Sequence, residues 1–202
     1  MATMGQALGK RPVGRPREFD EEKALEAAME AFWQKGYEAT SLADLCTCTG
    51  LHKGSLYQTF GSKHELFMRA LRNYTDRSFA EVASVVSASE SPLENIRAVM
   101  HKVINQASVE SGCMMMNSLV ELAPHDPQAK EALQASAARR LAAMTELVAK
   151  ARAAGEIRDP REPDQIAVQL MVTIAGTATT MKGFLTREQG LETMDSVLRS
   201  LT

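Results

Sequence analysis

Three glycines, Gly36, Gly50 and Gly61, cut the stretch after residue 20 into pieces that leave little freedom of fold. Each follows a run with helical periodicity, the place where a residue able to adopt the left-handed conformation ends a helix. The intervals between them hold only two or three helical turns, and helices so short are marginal alone. They must lie against longer neighbours, which the flanking segments supply. Asp20 is a good N-cap for a first helix whose Leu25, Ala28, Met29 and Phe32 recur at i, i+3, i+4 and i+7. Thr40 or Ser41 caps a second, with Leu42, Leu45 and Cys46 expected to face inward. A third covers about His52 to Thr59, anchored by Leu56 and Phe60. Ser62-Lys63-His64-Glu65 is a capping box opening a long fourth helix striped by Leu66, Phe67, Ala70, Leu71 and Tyr74.

The remainder also reads as helix, and no alternating pattern is convincing as a strand. Ser91-Pro92-Leu93-Glu94 opens a helix expected to reach about Val109, with Ile96, Val99, Met100, Val103, Ile104 and Ala107 inward. A short helix between Gly112 and Ala123 ends at Pro124, and Asp126-Pro127 starts another that runs to Gly155. Two more cover about residues 164–182 and 188–200, so the expected fold is all-α with about nine helices. In the first of these, Ile166, Val168, Leu170, Met171, Val172, Ile174, Ala175 and Ala178 leave almost no polar face. A helix apolar all round needs cover on both sides. A second subunit would supply it, and so would a central place in a monomeric bundle.

The net charge of −2 does not suggest a nucleic-acid partner, but its distribution does. Residues 1–17 hold Lys10, Arg11, Arg15 and Arg17 and no acid, while the rest of the chain is acidic. With Gly and Pro and no periodicity, residues 1–18 are expected to form a flexible basic arm. No apolar run reaches the length of a membrane span, and no apolar segment follows the basic start as in a secretory signal. Three cysteines, Cys46, Cys48 and Cys113, form no C-x-x-C pair, which suits a reducing cytoplasm. Cys46 and Cys48, two apart on a helix, diverge, and the four histidines are scattered, so no metal site is expected. No phosphate loop, nucleophile elbow or other catalytic or cofactor motif occurs, so the chain does not read as an enzyme.

Two short helices about a Gly turn, braced by a longer one, fit a helix-turn-helix. The third helix supports this reading, because His52, Lys53, Gly54, Ser55, Tyr57, Gln58 and Thr59 are polar or small. A helix entering the major groove needs such donors, acceptors and close-approach positions. Gly36-Tyr37, Thr40-Ser41, Gly50-Leu51, Lys53-Gly54-Ser55-Leu56-Tyr57, Phe60 and Ser62-Lys63-x-x-Leu66-Phe67 together resemble the TetR family of bacterial regulators over residues 18–72. His52 stands where that family commonly has a Ser or Thr cap, and Cys46 where it has a small Ala.

The resemblance implies a helix-turn-helix DNA-binding domain over residues 19–65 and a helical ligand-binding and dimerisation domain over 66–202. It implies a homodimer, joined through helices 8 and 9, that reads a palindromic operator in double-stranded DNA. Thr40 or Ser41 would contact phosphate, Lys53, Ser55 and Gln58 would lie near bases or backbone, and Tyr57 would reach a phosphate or a thymine methyl. Lys63 would contact phosphate at a helix N-terminus. Gly14-Arg15-Pro16, with Arg17, resembles segments that enter A·T-rich minor grooves, although a solvated tail fits the composition too.

For the C-terminal half the resemblance implies an inducer site. Met100, His101 and Ile104, together with Cys113, Met116 and Asn117, are the expected lining, flexible Met side chains suiting an adaptable apolar pocket. Core packing is the competing reading of each Met. Cys113, after Gly112 at the expected start of a helix, sits where thiols become nucleophilic, and some relatives sense electrophiles there; an inert core cysteine is the alternative. The function expected is a ligand-responsive repressor released by a small-molecule or thiol-reactive inducer. A helical adaptor binding other proteins is the competing class, but it has no use for the basic arm or the polar third helix.

Overall fold

The computed structural model describes residues 20–86 and 88–202, and these form nine α-helices with no strand, so the all-α expectation holds. The short set comprises α1 (Glu21–Lys35), α2 (Leu42–Thr49) and α3 (Lys53–Phe60), braced by α4 (Lys63–Ala83). Then follow α5 (Pro92–Gln106), α6 (Met114–Glu121), α7 (Pro127–Ala153), α8 (Pro163–Thr180) and α9 (Arg187–Arg199). The arm, with Arg15 and Arg17, lies outside the described residues.

The helix starts follow the caps read from the sequence. Asp20 accepts from the Lys23 N–H, and Ser62 and Glu65 form the reciprocal capping box. Of the two candidates for α2, Ser41 is the cap, forming its own box with Asp44. His52 caps α3 with no side-chain hydrogen bond. Asp126 accepts from the N–H groups of Gln128 and Ala129, one turn into α7. The fifth helix stops earlier than expected, at Gln106. Ser108 and Gly112 then pair across a tight turn, Gly112 with φ of +69°, and Arg187 donates to the carbonyls of Ile104, Asn105 and Ala107. A guanidinium on the last carbonyls of a helix satisfies acceptors that have no partner within it.

Two apolar cores result. One joins α5, the second half of α7, α8 and α9 around Ile96, Met100, Ile104, Val148, Leu170 and Met194. The other joins α1–α4 around Phe32, Leu45, Leu56, Phe60 and Phe67, but also takes in Met114, Met115 and Leu122 from α6 and its flank, and Ala129 and Leu133 from α7. The packing therefore does not divide at residue 65, where the sequence places a domain boundary. Cys46 is only partly buried and belongs to neither core, contrary to its expected inward position: α2 is short, and Leu45, with Leu42 beside it, makes its apolar contact with the rest. On α8 the apolar residues sort into opposite faces. Ile166, Leu170, Ile174 and Ala178 point into the core, while Val168 and Val172 are 46% and 65% exposed.

Candidate nucleic-acid interface and buried cavity

α3 is held by its Leu56 and Phe60, both buried, one turn apart on one face. That anchoring turns Lys53, Gly54, Ser55, Tyr57 and Gln58 outward. Lys53 Nζ lies 5.9 Å from the centre of the Tyr57 ring, the i, i+4 neighbour, so a cation and an aromatic hydroxyl share one surface. Ser41 is exposed at the N-cap of α2. Lys63 is half-buried, its Nζ 4.4 Å above the Tyr37 ring and 3.5 Å from the Glu38 carbonyl. Thr40 lies elsewhere. It is fully buried, and its hydroxyl donates to the Gly36 carbonyl at 2.6 Å. A side chain in that position closes the α1–α2 turn rather than facing a phosphate, so the expectation of a Thr40 contact is withdrawn in favour of Ser41.

Three polar contacts join the head (α1 to α3 and the start of α4) to the segment around α6. Trp33 Nε1 donates to the Gly112 carbonyl at 3.1 Å. The Glu121 carboxylate accepts the N–H groups of Tyr37 at 3.1 Å and Glu38 at 2.8 Å. His64 Nε2 lies 2.7 Å from Asp126 Oδ2. Gly112, Glu121 and Asp126 stand before α6, at its last residue and just beyond it, so this one short helix is bracketed by contacts to the head. Gly36 makes the close approach of Glu121 feasible. Its φ of +85° is open to few other residues, and a Cβ there would stand 2.9 Å from Glu121 Oε2.

The other face of the α6 segment closes a cavity of about 300 Å³ between α4, α5, α7 and α8. Its walls are mostly apolar, among them Phe79, Val99, Val103, Met144 and Ile174. Of the residues expected to line an inducer site, Cys113 and Met116 border this cavity. Asn117 does not; it sits on an outer groove beside Val172 and Thr179, with its amide donating to the Ser111 carbonyl. Met100, His101 and Ile104 also lie away from this cavity. Successive residues on a helix are rotated by about 100°, so when Val99 and Val103 face the cavity, Met100 and Ile104 turn into the core against α9. Both are wholly buried there. His101 Nε2 instead sits 3.0 Å from Asp195 on α9.

Tyr74, Ser78, Gln106 and Arg140 are polar cavity residues not expected as lining from the sequence, and two of them stand beside Cys113. Tyr74 donates its hydroxyl to Cys113 Sγ at 3.6 Å and packs edge-on to Trp33. Arg140, from the middle of α7, lies beside them and donates to the Thr75 carbonyl at 3.0 Å. Burial pushes the Tyr74 hydroxyl far above its ordinary range, and burial likewise lowers Arg140. The only signal in the sequence was an arginine pair, Arg139-Arg140, in an Ala-rich helix, and nothing local distinguishes the inward member from the outward one.

Residues 24–70 match the family model described as bacterial regulatory proteins of the tetR family, and residues 91–194 match that of a tetracyclin repressor-like C-terminal domain. The HTH-type transcriptional repressor ComR of Escherichia coli K12 is 30% identical over 98% of this chain and 97% of its own length. An uncharacterized HTH-type transcriptional regulator of Bacillus subtilis 168, YezE, is 37% identical over 57% of this chain and 61% of its own. Among solved structures, a cysteine-substituted form of the regulator CifR bound to a 26 bp operator duplex superposes with a TM-score of 0.82 at 27% identity, covering 94% of this chain and all of that one.

Proposed function

The chain belongs to the TetR family of bacterial transcriptional regulators, and from that premise we propose that it is a cytoplasmic repressor that holds a palindromic operator as a homodimer and leaves it when an effector fills the cavity. The observation that carries the reading is the outward polar face of α3, with Lys53, Ser55, Tyr57 and Gln58 presented on a helix locked by Leu56 and Phe60. The similarity to ComR, a repressor, and to CifR, bound to operator DNA, supports it. Ser41 and Lys63 contact the phosphates flanking the groove, and the basic arm with Arg15 and Arg17 adds minor-groove contacts. Val168 and Val172 on the outer face of α8 seat against the partner subunit, with α9 alongside.

Release follows from α6. The same segment forms a cavity wall through Cys113, Met115 and Met116 and carries the Gly112 and Glu121 contacts to the head. An effector that binds only one position of this segment shifts the head with it. Cys113, at the N-cap of α6 and facing the cavity, makes a thiol-reactive effector the second form of the same reading.

The test is fluorescence anisotropy with labelled DNA flanking the gene. Nanomolar binding is expected, with Lys53→Ala and Tyr57→Ala each weakening it by about tenfold or more. Equal binding by wild type and both variants would overturn the assignment of α3. Cys113→Ser separates the two effector forms: an alkylating agent that releases wild type but not the variant supports the thiol, and equal release rejects it.

A further inference from the structure

Among the described residues, one charged side chain of the cavity, Arg140, has no counter-ion. Arg140 sits between α4 and α7, and one of its terminal nitrogens is satisfied by the Thr75 carbonyl. Its Nε is buried without a hydrogen-bond partner. The nearby acid that could neutralise it, Asp76, is already paired with Arg139 at 2.8 Å. Gln106, which also lines the cavity, donates to Glu81 and so occupies that carboxylate. None of the described lining residues is acidic.

A guanidinium keeps its charge under all physiological conditions, and a charge taken partly out of water without a partner is costly. The cost is removed when an anion arrives, because a carboxylate accepts two parallel N–H bonds from the planar fork. Burial already disfavours the charged form of Arg140, the direction expected of a cation awaiting compensation. Tyr74, whose hydroxyl proton is directed at Cys113 Sγ, lies on the same cavity wall. Apart from Ser78, Gln106 and Cys113, the rest of the lining is apolar.

We propose that the cavity is a site for an apolar monocarboxylate, its acid group held by Arg140 and its body by the α5 and α8 walls. Arg140 is the one cation among the described lining residues; Arg139, over the same Phe79 ring, pairs with Asp76. A single cation matches one negative charge, which argues against a phosphate ester or a dicarboxylate. The inference rests on reading this cavity as the effector site.

Calorimetry on the full-length dimer tests it with two matched pairs of probes, decanoate with decanol and phenylbutyrate with phenylbutanol, below their aggregation limits. Each acid is expected to bind wild type more tightly than its alcohol. Arg140→Met is expected to lose about a hundredfold in affinity for the acid while keeping its affinity for the alcohol. Arg140→Gln serves the same purpose should the Met variant not fold, and an unfolding midpoint in the absence of ligand no lower than wild type shows that the loss is not structural. Equal binding of acid and alcohol, or acid binding untouched by either substitution, overturns the carboxylate assignment and leaves the cavity as an effector site. Failure of all four probes to bind wild type overturns both.

Discussion

The junction of Gly36 with Glu121 can be tested as a thermodynamic cycle. Gly36→Ala places a side chain at φ of +85° and ψ of 168°, a region essentially reserved for glycine, at about 1–3 kcal/mol. The new Cβ also stands 2.9 Å from a carboxylate that is accepting two backbone N–H groups. Moving Glu121 aside breaks those bonds. Hydrogen bonds to charged groups contribute about 1.5–3 kcal/mol each when buried; with Glu121 half-exposed and the Glu38 amide at the surface, about 1–2 kcal/mol for the pair is the fair figure. The single variant should therefore lose about 2–5 kcal/mol. In a Glu121→Ala background the bonds are already gone, and only the backbone strain remains. The two changes should fall short of additivity by about 1–2 kcal/mol. Urea unfolding followed by the fluorescence of Trp33, the sole tryptophan and itself bonded across the junction, reads both transitions. Additivity within about 0.5 kcal/mol would show that the carboxylate does not depend on the bare glycine, and the proposed coupling through α6 would lose its main support.

Val172→Asp puts a charge on the exposed apolar face of α8 and should convert the dimer to monomer in light scattering, with operator affinity falling at the same time; a dimer of unchanged strength would move the interface elsewhere. Removing residues 1–17, with their four basic side chains, should weaken operator binding and shallow its salt dependence by up to about 0.9 per lost phosphate contact; an unchanged slope would assign the arm no contact. Asp126 is held below the usual carboxylate range, chiefly by the Ala129 N–H and then by His64, and Asp159 is held down to about 2 by Arg161. A carboxyl depressed in the folded state stabilises it above the unfolded value, near 3.8, and loses that contribution as pH falls through the folded value. The urea midpoint should thus be level above about pH 5 and fall from about pH 4 downward, less steeply in Asp126→Asn, which keeps a capping oxygen but does not titrate; parallel profiles would exclude Asp126.

The head of this protein is legible in its sequence because its determinants are local. Asp20, Ser41, Ser62 and Asp126 sit within three residues of the N–H groups they cap, and the polar face of α3 follows from two anchors one turn apart. Thr40 beside Ser41 was ambiguous for the same reason: either hydroxyl could cap, and only the α1–α2 packing buries one of them. The cavity is less legible. α5 carries an apolar stripe broad enough for either half to face a ligand, and the choice is made from a distance. Asp195 on α9 draws His101 and Arg97 toward itself, which turns Met100 and Ile104 into the core and leaves Val99 and Val103 to the cavity. Glu121 and Arg140 are likewise unremarkable in sequence, since their partners lie more than sixty residues away.

The core that crosses residue 65 bears on how such a protein can be recombined. A single cut there would strip Phe32, Leu56 and Phe60 of the Met114, Met115, Leu122 and Leu133 side chains that complete their cluster. The transplantable unit is therefore discontinuous, made of helices α1 to α4 together with the stretch from Gly112 to Leu133. A chimera that exchanges reading heads by one crossover would split this cluster between the two parents, whereas one that carries both segments would keep it whole. Recognition of a new DNA sequence is thus more readily acquired by substitution on the outer face of α3 than by exchange of the whole module.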